Sequence, residues 1–323
     1  MSLPEKILAG DRLALARLLT ELENETPEGQ EALGALYAHT GNSYLIGVTG
    51  APGTGKSTLV NQLARKLRQR SFPGAEQLPQ VAIIAVDPSS PFSGGAILGD
   101  RIRMRDLSGD KGIFIRSMAS RGSLGGLAKT TGSLALALDA GGYEIILIET
   151  VGAGQAEVEV ASRAHTTVVI DAPGLGDEVQ ANKAGILEIA DILVVNKADK
   201  PGAENTVRIL EMALEFAGKQ EQPVEQLWQP PVLPTTATTG EGVDELVSSI
   251  YEHYQFLRRS GLWEARQRQQ VSSQFYASLQ QELFERFRRR SADGVLERMV
   301  DALVERKLTP GEAVKTLLAG ENQ

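Results

Sequence analysis

The segment from residue 50 to residue 57 constrains this chain more than any other stretch of it. It reads GAPGTGKS and fits the pattern G-x-x-x-x-G-K-[S/T]. An apolar, β-branched run at residues 44–49 precedes it, and apolar residues at helical spacing follow from Leu59 to Leu67. A strand, a glycine-rich turn and a helix in this order predict an α/β fold with an anion-binding loop at the carboxyl end of a strand.

The residue types of this loop suit the phosphates of a nucleotide. Glycines let the backbone approach an anion closely, so that amide groups and the helix N-terminus point at it. Lys56 is predicted to reach the β- and γ-phosphates, and the Ser57 hydroxyl to hold Mg²⁺. A glycine turn that merely caps a helix is the alternative, and the flanking strand and helix disfavour it. The predicted nucleotide contacts of the loop are Gly50, Pro52, Gly53, Thr54, Gly55, Lys56, Ser57 and Thr58.

A second motif indicates which base is bound. Residues 196–199, Asn-Lys-Ala-Asp, end an apolar strand. The carboxylate of Asp199 can accept hydrogen bonds from N1–H and the 2-amino group of guanine. Adenine has neither donor on that edge, so ATP would leave a desolvated charge unpaired. Asn196 is expected to brace the base and the loop, and the Lys197 stem to lie along the ring.

A later fragment agrees with guanine. Thr236 and Ala237, followed by Thr-Gly-Glu-Gly at residues 239–242, are similar to the last guanine-contacting loop of GTPases. The Ala237 amide is expected to meet the guanine carbonyl. These motifs together predict GTP as the ligand.

Carboxylates in two other segments are candidates for the metal. Asp87 ends a predicted strand, and Asp100 lies beyond a glycine-rich stretch. Mg²⁺ on a triphosphate keeps several waters and uses one or two protein carboxylates. Asp87 is therefore the better candidate and Asp100 the lesser one, although an Asp-Pro pair also commonly starts a turn.

The segment at residues 149–155, Glu-Thr-Val-Gly-Ala-Gly-Gln, resembles the D-x-x-G loop of GTPases. Glu149 is expected to hold a Mg²⁺-bound water, and the Gly152 amide to sense the γ-phosphate. Loss of that phosphate would release the loop. Gln155 is a candidate for orienting the attacking water, but it lies three positions after Gly152, so its catalytic role stays open and slow intrinsic hydrolysis is expected.

Composition limits the remaining possibilities. The chain has 323 residues, 42% of them apolar, enough for one large or two modest domains. It contains no cysteine, which excludes disulfides and thiolate metal sites. A net charge of −8 disfavours broad nucleic-acid binding. No apolar run reaches membrane-spanning length and no secretory signal is evident, so we expect no membrane association and a cytoplasmic location.

Hydrophobic periodicity predicts three regions. Residues 1–42 read as an N-terminal extension of two amphipathic helices, 43–258 as a P-loop GTPase domain, and 259–323 as a helical dimerisation arm. A simple helical cap on the GTPase domain is the alternative for the last region. The middle region alternates strands and helices, which predicts a mostly parallel sheet flanked by helices. Its predicted strands are 44–49, 81–86, 112–116, 144–149, 166–171, 191–196 and 231–235.

The motifs in this order resemble the methylmalonyl-CoA mutase-associated GTPases. The resemblance implies a homodimer that hydrolyses GTP slowly alone. It also implies a partner, the adenosylcobalamin-dependent methylmalonyl-CoA mutase. The GTPase would gate the loading of cofactor into this mutase and protect the enzyme, and the mutase would speed GTP hydrolysis. By the same resemblance, Ser57, Asp87, Asp100 and Glu149 would surround Mg²⁺, and residues 174–180 would form a further switch. Ala172-Pro173 and Ala181 depart from the family pattern near that switch.

Two alternatives stay open. A GTPase that delivers a metal to another enzyme would bind Ni²⁺ or Zn²⁺ stoichiometrically, but the three histidines, His39, His165 and His253, are scattered and are expected to be structural. A P-loop small-molecule kinase, with a coincidental Asn-Lys-Ala-Asp loop, would bind ATP more tightly than GTP.

Overall fold

A seven-stranded sheet, parallel throughout, forms the centre of the chain in the computed structural model. The structure describes residues 1–87, 104–107, 109–119, 126–150, 163–174, 188–217, 228–290 and 294–319. The strands are β1 Tyr44–Gly50, β2 Val81–Asp87, β3 Ile113–Ala119, β4 Ile145–Glu149, β5 Thr166–Asp171, β6 Ile192–Asn196 and β7 Val232–Thr235. Their order across the sheet is β3-β2-β4-β1-β5-β6-β7.

The position of β1 determines where a ligand can bind. It lies between β4 and β5, and Gly47 pairs with Ile148 on one side and with Thr167 on the other. The chain leaves β1 toward β2 on one side of the sheet and later returns to β5 on the other. The carboxyl end of β1 is therefore a topological switch point, where open α/β sheets bind ligands.

Ten α-helices lie in the described part of the chain. Before the sheet are α1 Leu3–Leu8, α2 Arg12–Glu23 and α3 Pro27–Leu36. Between strands are α4 Lys56–Leu67, α5 Gly126–Ala140 and α6 Ala203–Ala217. After β7 come α7 Val243–Ser260, α8 Leu262–Arg290, α9 Val295–Val304 and α10 Pro310–Ala319. The parallel sheet, the flanking helices and the helical segments at both ends confirm the predicted fold class.

The N-terminal segment has three helices where the periodicity predicted two. A capping box between Ser2 and Glu5 starts α1. Gly10, at φ +84°, turns the chain after α1, and the Asp11 carboxylate then caps α2 through the amides of Leu13 and Ala14. The apolar periodicity continues across this break, so it could not show that the helix ends there.

Both faces of the sheet are buried, which explains the long apolar strands. One face packs against α4 and α7, with Ile46, Val48 and Leu63 in its core. The N-terminal helices and α5 cover β2 and β4 on the other face, and a smaller cluster lies beneath α6. This two-sided burial holds the carboxyl ends of β1, β4, β5 and β6 in fixed register.

The chain divides into two compact units, Met1–Val271 and Ser272–Gln323. In its described part, the second unit contains the last part of α8, α9 and α10. Within the described ranges, no helix is both long enough and apolar enough to cross a membrane. The dimerisation role predicted for residues 259–323 stays a prediction.

Candidate nucleotide-binding site

The loop at residues 50–57 joins the central strand to α4. Gly50 has a φ of +140° and Gly55 a φ of +91°. A Cβ atom on Gly50 would lie 2.1 Å from the Ile170 carbonyl oxygen, and one on Gly55 would lie 2.5 Å from Asn196 Nδ2. These two positions therefore accept only glycine, both for backbone conformation and for space.

The start of α4 is shaped for an anion. Gly55 occupies the N-cap position and supplies no side-chain acceptor to the first-turn amides. The helix is held firmly, because Leu59, Leu63 and Leu67 on its inner face are fully buried. Its positive dipole end and its first amides therefore face the loop at a fixed place, as a phosphate site requires.

Lys56 is buried beside the loop that it is predicted to serve. Its Nζ donates hydrogen bonds to the carbonyl oxygens of Gly50, at 2.7 Å, and Ala51, at 3.0 Å. The ammonium group thus lies within the loop, and its contact with a phosphate stays a prediction. Pro52 and Thr58 of the same motif are exposed, whereas the Thr54 side chain is buried and donates to the Ala51 carbonyl oxygen at 2.9 Å.

Two of the predicted metal ligands lie together. Ser57 Oγ donates to Glu149 Oε1 across 2.6 Å, and Glu149 is the buried last residue of β4. A hydroxyl and a carboxylate are hard oxygen ligands of the kind that Mg²⁺ prefers. The hydroxyl can present a lone pair to a metal while it still donates to the carboxylate, so these two residues fit a Mg²⁺ ion.

The structure describes the other predicted metal and switch residues only in part. Asp87 ends β2, which pairs with β4 through Ala85 and Glu149, so its backbone lies at the same edge of the sheet. Asp100, Gly152 and Gln155 lie outside the described residues, as do residues 175–180 of the predicted further switch.

Asn196 connects the two halves of the site. Its Nδ2 donates to the Thr54 carbonyl oxygen at 2.7 Å. Its Oδ1 accepts from Thr235 Oγ1 at 3.2 Å and from the Ala237 amide at 3.0 Å. Asn196 thus joins the phosphate loop to the loop that follows β7, and its predicted contact with the base stays a prediction. Thr235 had no predicted role, although it directly precedes the two predicted contacts Thr236 and Ala237.

The Ala237 amide donates its hydrogen bond to another residue of the protein, although it is the predicted donor to the guanine carbonyl. Because it donates to Asn196 Oδ1, contact with a guanine carbonyl would require it to share this hydrogen. Thr236 closes the turn that follows, since its amide donates to Glu241 and its carbonyl oxygen accepts from Gly240.

Lys197 and Asp199 are placed at the open side of the site. Lys197 has a left-handed backbone, with φ +59°, and its Nζ donates to the Gly53 carbonyl oxygen at 2.7 Å. Its stem therefore crosses from β6 to the phosphate loop. The Asp199 side chain is 46% exposed and pairs with neighbouring Lys200 at 3.3 Å. Its carboxylate is therefore accessible to a guanine base.

The two buried histidines make hydrogen-bond contacts within the protein. His165 Nδ1 accepts from the Leu45 amide, and His253 Nδ1 lies 2.7 Å from Thr166 Oγ1. Burial lowers the pKa of His165 to about 3 and that of His253 to about 4. In the described part of the chain, no group of three histidine, aspartate or glutamate residues is arranged to hold a metal ion. The observation agrees with structural roles for both buried histidines.

The fold and the site define a P-loop nucleotide-binding protein. The profile of the family described as methylmalonyl-CoA mutase-associated GTPase MeaB matches residues 15–292. The chain belongs to this family and is a GTPase of the P-loop fold.

Relatives from distant organisms and one solved structure are similar over most of the chain. A putative GTPase of Pyrococcus abyssi is 48% identical over 84% of this chain and 81% of its own. The mitochondrial methylmalonic aciduria type A homolog of Caenorhabditis elegans is 30% identical over 97% of this chain and 81% of its own. A crystal structure of a LAO/AO transport system kinase superposes with a TM-score of 0.72 at 26% identity, covering 99% of this chain and 97% of that one.

Proposed function

We propose that this protein is a Mg²⁺-dependent GTPase that serves as a chaperone of adenosylcobalamin-dependent methylmalonyl-CoA mutase, gating the loading of its cofactor and protecting the enzyme. The observation that carries the proposal is the family match over residues 15–292, because the family is named for its association with that mutase. The name of the similar nematode protein, a methylmalonic aciduria type A homolog, points to the same metabolism.

The reaction is transfer of the γ-phosphoryl group of GTP to water, which depends mainly on positioning and on electrostatic stabilisation. Lys56 and the amides at the start of α4 stabilise charge on the phosphates, and Asp199 reads the guanine edge. Bound Mg²⁺ would be held by Ser57 and Glu149, with Asp87 and Asp100 as further predicted ligands, and would neutralise charge on the phosphate oxygens. Gln155 is the predicted water-orienting residue, and its displaced position supports slow turnover without a partner.

The protein is proposed to act as a homodimer through its C-terminal helices. In the described part of the second unit, several large apolar side chains are exposed, among them Phe275, Tyr276, Leu283 and Phe284. Monomeric proteins rarely leave many apolar groups on one segment in water, so these side chains support an interface between copies of the chain.

Cofactor loading tests the proposal. Apo-mutase is mixed with adenosylcobalamin, and holo-enzyme formation is followed by absorbance with the GTPase in its GTP and GDP states. We expect the nucleotide to change the rate of loading, and Lys56→Ala to remove that dependence by abolishing tight triphosphate binding. Lys66→Ala, at a half-buried lysine of the same helix that pairs with Asp244, is the matched control and should behave as wild type. Identical loading with and without the GTPase and nucleotide would contradict the chaperone role.

A further inference from the structure

Two threonines that have no predicted contact with nucleotide or metal form a buried hydrogen bond beside the predicted site. Thr49 directly precedes Gly50, and Thr150 directly follows Glu149. Both side chains are completely buried. Thr150 Oγ1 donates to Thr49 Oγ1 at 3.0 Å, and we name this pair the threonine clip.

The clip continues the attachment of β4 to β1 past the end of the strand. Within the ladder, Val48 is the register partner of Glu149. One residue farther on, the Thr150 amide donates to the Val48 carbonyl oxygen at 3.1 Å. The hydrogen bond between the two threonine hydroxyls lies next to this last backbone hydrogen bond. Glu149 is therefore held by the ladder before it and by the clip after it.

This arrangement has a consequence for the metal-binding pair. Ser57 Oγ, on α4, and Glu149 Oε1, on β4, are 2.6 Å apart. Hydrogen bonds and metal coordination both tolerate only a few tenths of an ångström of displacement. The end of β4 must therefore be fixed relative to β1, because α4 follows directly from the loop at the end of β1.

We propose that the threonine clip is a positioning pair that sets the Glu149 carboxylate against Ser57 and thereby supports the Mg²⁺-dependent part of nucleotide binding. Neither threonine touches the nucleotide in this account, and each acts through Glu149. The inference rests on the proposed function, in which Ser57 and Glu149 hold Mg²⁺ with GTP or GDP.

Nucleotide affinity measured with and without the metal tests the clip in the full chain. Fluorescent methylanthraniloyl-GDP is titrated in Mg²⁺ and in EDTA, and the ratio of the two affinities is taken. Thr150→Val and Thr49→Val should each reduce this ratio about threefold to tenfold, the change expected from losing one hydrogen bond. Affinity in EDTA should stay within about twofold of wild type, since the phosphate loop and the guanine contacts are intact.

Two further variants separate positioning from general stability. The double variant Thr49→Val/Thr150→Val should match the single variants, because all three lose the same bond. Thr150→Ser, which keeps the hydroxyl, should restore the wild-type ratio. Thr131→Val removes a buried hydroxyl on α5 that contacts Met118 Sδ, and should leave the ratio unchanged.

The outcomes distinguish failure of the clip from failure of the proposed function. Valine variants that unfold at lower temperature yet keep the wild-type affinity ratio would show that the clip is only structural and would overturn the inference. If Mg²⁺ does not affect wild-type affinity, the metal-dependent function itself is contradicted, and the clip loses its proposed role with it.

Discussion

The side-chain nitrogen Nδ2 of Asn196 donates a hydrogen bond to the backbone carbonyl oxygen of Thr54 across 2.7 Å, which joins the end of β6 to the phosphate loop. Both residues are buried. The segment that is predicted to read the base and the segment that is predicted to hold the phosphates are therefore one connected unit, and a change in either should affect the other.

Replacing Asn196 tests this connection. Asn196→Ala removes the hydrogen-bond partner of the Thr54 carbonyl, the Thr235 hydroxyl and the Ala237 amide. Each buried polar group left without a partner lowers the free energy of unfolding by about 1–3 kcal/mol. We expect a lower free energy of unfolding and weaker binding of both GTP and GDP, measured by urea unfolding and calorimetry. Asn205→Ala, at an exposed position on α6, is the matched control. Unchanged affinity in Asn196→Ala would show that the two loops are independent.

Base selection should depend on Asp199. In Asp199→Asn the amide can donate where xanthine presents a carbonyl, so preference should move from GTP to xanthosine triphosphate. The loss of GTP affinity should be roughly tenfold to a hundredfold, because hydrogen bonds to charged groups contribute about 1.5–3 kcal/mol. Competition binding measures the shift. Asp244→Asn, another exposed carboxylate paired with a lysine, should change nothing. An unaltered preference in Asp199→Asn would place Asp199 away from the base.

Acid should destabilise the protein through two buried histidines. Burial lowers the pKa of His253 to about 4, although Asp191 beside it acts to raise it. Burial, with Arg266 and Arg258, lowers the pKa of His165 to about 3. In the unfolded chain these two imidazole rings take up protons at about pH 6.5, whereas in the folded protein they do not. The free energy of unfolding therefore keeps its full value above pH 6.5 and falls as the pH decreases toward 4. The loss is on the order of 4 kcal/mol at pH 5.

Urea unfolding at pH 7.5 and pH 5, together with NMR titration of the histidine rings, measures this effect. Ring signals of His165 and His253 that titrate near pH 6.5 in the folded protein would refute the prediction.

The apolar side chains of the second unit should hold the dimer together. Phe275→Asp places a charge on an exposed apolar position of α8, so it should disrupt an interface without affecting the core. We expect light scattering to report a single chain of 34.7 kDa for this variant and twice that mass for the wild type. Ser278→Asp introduces the same charge at an exposed polar position of the same helix. Dimers that persist in Phe275→Asp would exclude this surface.

The sheet could be predicted from sequence because each strand is a short, nearly continuous apolar run, and two-sided burial requires that pattern. All seven predicted strands are present, and the largest difference is at β3, predicted over 112–116 and observed at Ile113–Ala119. The phosphate loop was equally clear, since its glycines, Lys56 and Ser57 are adjacent in the chain.

Features that depend on contacts between distant segments could not be predicted in this way. The engagement of the Ala237 amide by Asn196 joins residues 41 positions apart, and the threonine clip joins residues 101 apart. Leu13 continues the apolar periodicity but is 81% exposed, because the break at Gly10 changes which face of α2 is covered. The cytoplasmic location and the absence of nucleic-acid and membrane partners stay predictions.

The rate of GTP hydrolysis by the purified protein, alone and with adenosylcobalamin-dependent methylmalonyl-CoA mutase from the same source, tests the central claim most directly. We expect a slow rate alone that rises severalfold when the mutase is added, with ATP hydrolysed far less than GTP. A rate that the mutase leaves unchanged would contradict the proposed partnership, and faster hydrolysis of ATP than of GTP would contradict the assignment of the site itself.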